Sequence, residues 1–297
     1  MDLTRSTAKH EHTIVEAMGE ALNDIDEALQ SGGLVGVNTG LPDLNDCLGG
    51  FYKSDLIVIG ARPSVGKTCF ALNIADRCGV PCGLISGEQA SNQIGLRMMA
   101  ISGRVSAHNM RRAKLDESEW AKLTNVLSKT KTKRMWIYDK PGPDINDVAR
   151  QARKWKHSND ISILFVDYLQ KIRGPKGGKK DNGRIDEVAE VARSLKDIAR
   201  ELNIPVVALA QVNRDVEKRQ DKRPTMSDLA NSGEIEREAD QIITLYRDEV
   251  YEPDSKYAGI CEASVVKNRH GPTGVIKLAW SKEFMRFDGL ERDYDGG

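Results

Sequence analysis

The sequence of 297 residues is poor in cysteine, and its cysteines follow no recognisable pairing pattern. The five thiols are Cys47, Cys69, Cys78, Cys82 and Cys261, an odd number without a C-x-x-C spacing. This arrangement argues against both a disulfide framework and a zinc site. We therefore expect reduced thiols and a cytoplasmic location.

Long hydrophobic runs are also missing. No apolar stretch approaches the roughly 20 residues that a membrane-spanning helix needs, and no short apolar segment precedes a small-residue cleavage site near the start. Neither sign of charge is in excess, because 44 Lys and Arg residues balance 44 Asp and Glu residues. We expect no membrane partner, and any contact with nucleic acid must use a local basic patch.

A phosphate-binding pattern is present in residues 56–68. An apolar, β-branched run leads into a turn rich in Gly, Pro and Ser and then into a helical pattern, so backbone N–H groups and a helix N-terminus would converge on one anion. The pattern G-x-x-x-x-G-K-[ST] has Ala61 in place of its first glycine, but its second half is intact. Lys67 would contact the β- and γ-phosphates of a nucleotide, and Thr68 would hold Mg²⁺. The residues expected to bind the nucleotide are Arg62, Pro63, Ser64, Val65, Gly66, Lys67, Thr68 and Cys69.

Alternating strand and helix patterns predict an α/β fold. After the phosphate loop, strands are expected at 82–86, 135–138, 161–167, 205–210, 241–246, 263–267 and 275–280. Helices are expected at 68–78, 91–102, 116–127, 144–157 and 184–202. Strands separated by helix-length segments imply right-handed crossovers and a mostly parallel sheet. The last two strands are joined by a Gly-Pro-Thr-Gly segment, so they should form an antiparallel hairpin at the end of the sheet.

A short amphipathic helix is predicted ahead of this domain. Residues 1–33 would comprise a disordered polar start and a helix whose apolar side chains recur at steps of three and four. These side chains are Ile14, Met18, Leu22, Ile25 and Leu29. The helix should end at Gly32 and Gly33. Its apolar face could pack on its own domain or on a neighbouring subunit, and both interpretations remain open. Residues 34–290 would form the nucleotide-binding domain and 291–297 a polar tail.

Three predicted strands end in polar residues, where a ligand of a parallel sheet is expected. Asp167 ends an apolar run, which is how a buried strand delivers an acid to the Mg²⁺ shell. Glu88 follows another strand and could accept a proton from an attacking water. Gln211 could sense the γ-phosphate. The alternatives are helix caps for the two acids and a plain polar turn for Gln211.

Two cations lie near the predicted hairpin. Lys267 and Arg269 are two positions apart on an extended segment and therefore project to the same face. In a ring of subunits they could reach the neighbour's γ-phosphate, as an arginine finger does. The alternative is a solvated basic edge strand.

Two loops are candidates for contact with nucleic acid. Residues 171–184 carry a net charge of +5, to which Lys179, Lys180 and Arg184 contribute, and such a patch suits phosphate contacts. Residues 219–234 contain Asn231, Ser232 and Gly233, whose small size would let backbone N–H groups approach a phosphate. A solvated surface is the alternative for both loops.

Several motifs in order resemble the DnaB-type replicative helicases. They are the phosphate loop 61–68, Phe165-Val166-Asp167-Tyr168-Leu169-Gln170, Arg193-Ser194-Leu195-Lys196, Gln220-Asp221-Lys222-Arg223-Pro224, Met226-Ser227-Asp228-Leu229, Ser232-Gly233 and Lys267-Asn268-Arg269-His270-Gly271-Pro272-Thr273-Gly274. The resemblance covers about residues 34–290 and implies a RecA-like motor domain. It further implies a homo-hexameric ring that hydrolyses ATP with Mg²⁺ and moves 5′ to 3′ on single-stranded DNA.

The resemblance also implies roles for the candidate residues. Lys67 and Thr68 would bind phosphate and Mg²⁺, Asp167 would be the metal-shell acid, Glu88 the base and Gln211 the sensor. Lys267 and Arg269 would act on the adjacent subunit's nucleotide. The loop 231–233 would contact DNA in a central channel, and the helix at 14–29 would dock on the next subunit.

The chain departs from the family pattern at its start. Members usually carry a helical amino-terminal domain that forms a collar and engages primase, whereas only a short segment precedes the motor here. The resemblance therefore does not carry primase binding or the collar over to this chain, which would be a truncated or phage-type member. A helicase loader remains a candidate partner. Two other functions stay open: a RecA- or RadA-like recombination ATPase, and a non-catalytic, nucleotide-bound interaction module.

Overall fold

The computed structural model describes residues 11–30, 32–174, 184–229 and 232–290, in which helices alternate with strands. The helices are α1 (Ile14–Gln30), α2 (Pro42–Leu48), α3 (Lys67–Arg77), α4 (Ser91–Gly103), α5 (Ala107–Arg111), α6 (Glu117–Thr130), α7 (Ile145–Asn159), α8 (Arg184–Leu202) and α9 (Ser232–Glu238). The strands are β1 (Leu56–Ala61), β2 (Cys82–Ser86), β3 (Met135–Tyr138), β4 (Ile163–Asp167), β5 (Val206–Gln211), β6 (Gln241–Tyr246), β7 (Ile260–Asn268), β8 (Gly274–Ser281) and β9 (Arg286–Gly289). No helix within these ranges is long and apolar enough to cross a bilayer.

The strands form one sheet in the order β3-β2-β4-β5-β1-β6-β7-β8-β9. The first six of these strands are parallel, and β7, β8 and β9 are antiparallel to their neighbours. The predicted mostly parallel α/β fold is thus confirmed, as is the antiparallel β7–β8 hairpin. Its predicted place at the sheet's end is wrong, because β9 pairs with the outer edge of β8. β9 has only one apolar residue, Phe287, so it shows no strand pattern in the sequence.

The central strands are buried on both faces. Every residue of β1 is buried, and successive side chains point to opposite faces of the sheet. Ile59 packs in a core cluster with Phe70 of α3, whereas Val58 packs in a second cluster with Leu195 of α8. Helices therefore cover both faces, which explains why these strands are continuous apolar runs. The polar residues that follow the strands are left at the edges of the sheet.

Helix α1 ends as the sequence predicts, but its apolar face is exposed to solvent. The N–H of Gly33 donates to the carbonyl of Ala28 at 2.7 Å, and Gly32 and Gly33 both have positive φ. The apolar stripe is exposed, from 51% for Ile25 to 74% for Ile14 and Leu29. The stripe therefore does not pack on its own domain, and the interpretation that it docks on another subunit remains.

Candidate nucleotide site at the carboxyl edge of the sheet

The predicted phosphate loop connects β1 to α3. Gly66 precedes the first residue of α3 and has a φ of 115°, a conformation that glycine adopts without a steric penalty. Ser64 also has positive φ, at 68°, so the chain turns sharply ahead of the helix. Arg62 fixes the loop from behind, because its guanidinium donates to the carbonyl of Val212 and to Glu217, both at 2.8 Å. The N-terminus of α3 thus opens onto the loop, as an anion site requires.

Asp167 lies beside the phosphate loop. Thr68 Oγ1 donates to Asp167 Oδ2 at 2.7 Å. The other carboxylate oxygen, Oδ1, is buried and has no hydrogen-bond partner among the described residues. Burial raises the pKa of Asp167, and the positive charge of Lys67 opposes this shift. A buried carboxylate oxygen without a hydrogen-bond partner lowers the stability of the fold. A cation that binds at the loop would supply the missing partner of this atom.

Lys67 occupies the centre of the same site. Its ammonium lies 4.1 Å from the ring centroid of Tyr168. Burial lowers the pKa of Lys67, whereas the charges of Asp167 and Glu88 raise it. An anionic ligand would supply the charge that this buried ammonium needs.

These residues open onto one cavity of about 440 Å³. The strands β1, β2, β4 and β5 are neighbours in the sheet, so their carboxyl ends meet there. The cavity is lined by most of the predicted site, namely Arg62, Pro63, Ser64, Gly66, Lys67, Thr68, Cys69, Glu88 and Gln211. Val65 is instead buried in the adjoining core. The structure therefore brings the strand-end residues and the phosphate loop together.

Gln211 is held in place by Gln170. Gln211 N donates to Gln170 Oε1 at 3.2 Å, and Gln170 Nε2 donates to the Gln211 carbonyl at 3.4 Å. In the sheet, Gln211 pairs with Ala61, the last residue of β1. The end of β5 is thus tied both to the phosphate loop and to the segment that follows Asp167.

Three cations of the cavity were not identified from the sequence, namely Arg97, Arg247 and Lys282. Arg247 donates to the Ser64 carbonyl at 2.8 Å and stacks over Trp280 at 4.7 Å. Because Arg247 directly follows β6, the strand-end rule that identified Asp167 would also have found it. Arg97 lies within α4 and Lys282 follows an antiparallel strand, so neither has a local signal of this kind.

Lys267 and Arg269 lie at the opposite edge of the sheet. Arg269 donates from its backbone to the carbonyl of Asp240, which precedes β6, and from Nη1 to the Asp240 carboxylate at 2.9 Å. Lys267 Nζ donates to the carbonyls of Glu236 and Ala239 at the end of α9. Burial lowers the pKa of Lys267, and the charge of Arg269 adds to this shift. The length of β1, roughly 17 Å at about 3.3 Å per residue, separates this edge from the chain's own phosphate loop.

Half of the residues predicted to contact DNA lie outside the described ranges. Lys179, Lys180 and Asn231 lie outside the described residues. Arg184 and Ser232 are the first residues of α8 and α9, but only their backbone is described. Gly233 is exposed in the first turn of α9. The DNA-binding assignment of these loops therefore stays a prediction.

Comparison with known proteins identifies the family. The model of the DnaB-like helicase C terminal domain matches residues 36–289. The replicative DNA helicase DnaB of Geobacillus stearothermophilus is 41% identical over 270 residues, which cover 90% of this chain and 59% of the relative. The DnaB of Haemophilus influenzae is 41% identical over 290 residues, covering 95% and 61%. The chain thus spans about three fifths of the length of these relatives.

Solved structures agree with the family match. The ATPase domain of G40P superposes with a TM-score of 0.87 at 34% identity, covering 95% of this chain and all of that one. A DnaB-like replicative helicase, described with its interactions with primase, gives 0.84 at 34% identity and covers 95% and 68%. These neighbours confirm the RecA-like fold. The chain belongs to the family of DnaB-like helicase C-terminal domains.

Proposed function

We propose that the chain is the motor of an ATP-dependent replicative DNA helicase, which assembles as a hexameric ring, moves 5′ to 3′ on single-stranded DNA and unwinds duplex at forks. The observation that carries this proposal is the meeting of Lys67, Thr68, Asp167, Glu88 and Gln211 at one edge of the sheet. The relatives named replicative DNA helicases support it.

ATP would bind with its phosphates in the loop 62–68. The N-terminus of α3 and the ammonium of Lys67 favour an anion there. The pKa of Lys67 is lowered by burial, and its ammonium form would be stabilised when phosphate charge enters. The phosphate loop would therefore supply binding and orientation of the substrate.

The residues present fit Mg²⁺ as the cofactor. Thr68 Oγ1 and the unpaired Oδ1 of Asp167 are oxygen donors of the kind that Mg²⁺ prefers. Thr68 and Asp167 would hold the ion, which would supply positive charge to offset the charge that develops on the phosphates. The described ranges contain no group of three or more His, Cys, Asp or Glu residues suited to a metal. Such a group is not required, because Mg²⁺ in these sites uses one or two protein oxygens together with the phosphates.

Glu88 would act as the general base. It follows β2, whose last residue, Ser86, pairs with Asp167 in the sheet, and it lines the cavity with Lys67. A carboxylate at this position would orient a water for attack on the γ-phosphorus and accept its proton. Gln211, at the end of β5, would respond to the γ-phosphate.

Lys267 and Arg269 would act on the nucleotide of the adjacent subunit. Their place at the edge opposite their own phosphate loop supports action between subunits, since neither side chain can cover the length of β1. Arg269 is 49% exposed and remains accessible to a neighbour. In that position it would stabilise charge in the transition state.

The assembly would be held in part by α1. A groove of about 460 Å³ lies between α4, α6 and β3, with Leu96, Met99, Val126 and Leu127 among its lining residues. Helix α1 carries five acidic residues and no basic one, whereas Lys129, Lys131 and Lys133 lie at the end of α6 next to the groove. Apolar and charge complementarity therefore support docking of α1 in the groove of a second copy.

Single-stranded DNA would pass through the channel of the ring. The loops that contain Lys179, Lys180 and Asn231 are the proposed contacts with its backbone. A helicase loader is a further proposed partner. Primase binding is assigned to no residue of this chain.

Unwinding of a forked duplex tests the proposal. We expect displacement of the strand only with ATP, Mg²⁺ and a 5′ single-stranded tail, and none with the Lys67→Ala variant. A fork that carries only a 3′ tail is the matched substrate control. DNA-stimulated ATP hydrolysis without unwinding would favour the recombination ATPase instead, and nucleotide binding without turnover would favour the non-catalytic module.

A further inference from the structure

Arg269 is held at the sheet edge by one buried carboxylate. Its Nη1 donates to Asp240 Oδ1 at 2.9 Å, and its Nη2 donates to the carbonyl of Arg237 at 2.9 Å. The side chain of Asp240 is only 4% exposed, whereas that of Arg269 is 49% exposed. A guanidinium has five N–H groups, so the two bonds within the described chain leave three donors for a phosphate.

Asp240 is itself anchored to the centre of the sheet. Its second oxygen, Oδ2, accepts a hydrogen bond from the backbone N–H of Leu56 at 2.8 Å and one from Lys196 Nζ at 2.5 Å. Leu56 is the first residue of β1, the strand that leads to the phosphate loop. Asp240 therefore links a rigid, fully buried strand to a side chain that is free to meet another subunit.

The position of the Arg269 guanidinium should affect the rate of hydrolysis. A long side chain stabilises a transition state only if it is held near the productive geometry, and a displacement of about 1 Å can cost roughly 10²-fold in rate. Without the Asp240 carboxylate, Arg269 would keep one side-chain bond, to the end of α9, and could rotate about it.

We infer that Asp240 is a positioning residue for Arg269, setting the direction in which the guanidinium faces the neighbouring subunit's nucleotide. The inference rests on the proposed action of Arg269 between subunits. A buried carboxylate that pairs with Lys196 would also stabilise the fold, so the experiment must separate the two effects.

A double-mutant cycle on the assembled, DNA-stimulated ATPase makes this separation. We expect Asp240→Asn to lower kcat by about 10- to 100-fold with little change in KM for ATP. In the Arg269→Ala background the same substitution should lower kcat no further, although it should reduce the thermal midpoint in both backgrounds. An equal loss of kcat in both backgrounds, or none in either, would overturn the inference.

Lys196→Met is the matched control, because it removes the other charged partner of Asp240 and leaves the Arg269 pair in place. We expect lower thermal stability with kcat within about twofold of the parent. A loss of kcat as large as that of Asp240→Asn would show that the network acts only through stability. If Asp240→Asn does not fold, Asp240→Glu replaces it in the cycle with the same expected pattern. A full-rate Arg269→Ala protein would instead contradict the proposed function.

Discussion

The side-chain amide of Gln170 pairs with both backbone polar groups of Gln211, accepting from its N–H at 3.2 Å and donating to its carbonyl at 3.4 Å. Loss of this pairing would free the end of β5 and with it the side chain that we propose as the sensor of the γ-phosphate. We expect Gln170→Ala to lower DNA-stimulated ATP turnover by up to about tenfold while ATP binding is retained. Gln93→Ala, at an exposed position of α4, is the control. Equal turnover for both variants would contradict a role for Gln170.

Substitution of Glu88 should stop turnover without preventing nucleotide binding. Glu88→Gln keeps the shape of the side chain but cannot accept a proton, so we expect kcat to fall by about 10²- to 10⁴-fold. Lys67→Ala should instead abolish binding. Single-turnover hydrolysis and binding of a fluorescent ATP analogue measure the two effects. The exposed Glu117 on α6 supplies the control Glu117→Gln, and unchanged hydrolysis by Glu88→Gln would show that the base lies elsewhere.

The Mg²⁺ requirement should depend on Asp167. Asp167→Asn removes the charge of the buried carboxylate next to Thr68, so we expect the Mg²⁺ concentration for half-maximal ATPase activity to rise by about tenfold or more. Asp139 is a matched control, because it also lies at the carboxyl end of a strand but accepts a hydrogen bond from Ser91 N at 2.7 Å. Titration of Mg²⁺ at fixed ATP distinguishes the variants. If Asp167→Asn and Asp139→Asn need the same Mg²⁺ concentration for half-maximal activity, Asp167 is not a ligand of the metal.

Arg269→Ala should lower hydrolysis by about 10³-fold or more and leave nucleotide binding nearly intact, because a finger acts in the transition state. Mixing this variant with Glu88→Gln protein should restore activity, since about a quarter of the interfaces in an equal random mixture combine both native groups. A mixture of Glu88→Gln and Lys67→Ala is the control, because both changes affect one subunit's own nucleotide site. Absence of rescue at every ratio would count against action between subunits.

Assembly of the ring should depend on the exposed apolar stripe of α1. Paired Met18→Glu and Leu22→Glu substitutions place charge on the apolar stripe, and Leu127→Glu does the same in the groove. We expect either change to reduce the mass in solution with ATP and Mg²⁺ from that of a ring to that of smaller species. Asn23→Glu, on the same helix but off the stripe, should leave the mass unchanged. A ring that forms normally with a charged stripe would remove α1 from the interface.

Local patterns in the sequence were sufficient for every strand except β9 and for the part of the site formed by the phosphate loop and the strand ends. The apolar run that ends at Asp167 predicts both a buried strand and an acid at its tip, because the two features are adjacent in the chain. The same holds for the phosphate loop, where turn residues and helix pattern follow one another directly. These parts of the structure depend on short-range order.

The surroundings of Arg269 could not be predicted in this way. Its carboxylate partner, Asp240, is far away in the sequence, and their contact depends on how β7 pairs with β6. That pairing shifts register between Ile242 and Ile243, and a shift by one residue changes which side chains meet. No sequence pattern identifies the position of such an irregularity. The cavity cations Arg97 and Lys282 are likewise brought in by tertiary packing.

The separation of Arg269 from its own phosphate loop has a consequence for stoichiometry. If Arg269 completes the neighbour's site, each chain contributes one half to each of two sites. A linear row of copies then contains one complete site fewer than it has subunits, and closure of the ring adds the missing one. The maximal rate would therefore be proportional to the number of interfaces between adjacent subunits and not to the number of folded chains. It would fall whenever the ring opens to admit a strand of DNA.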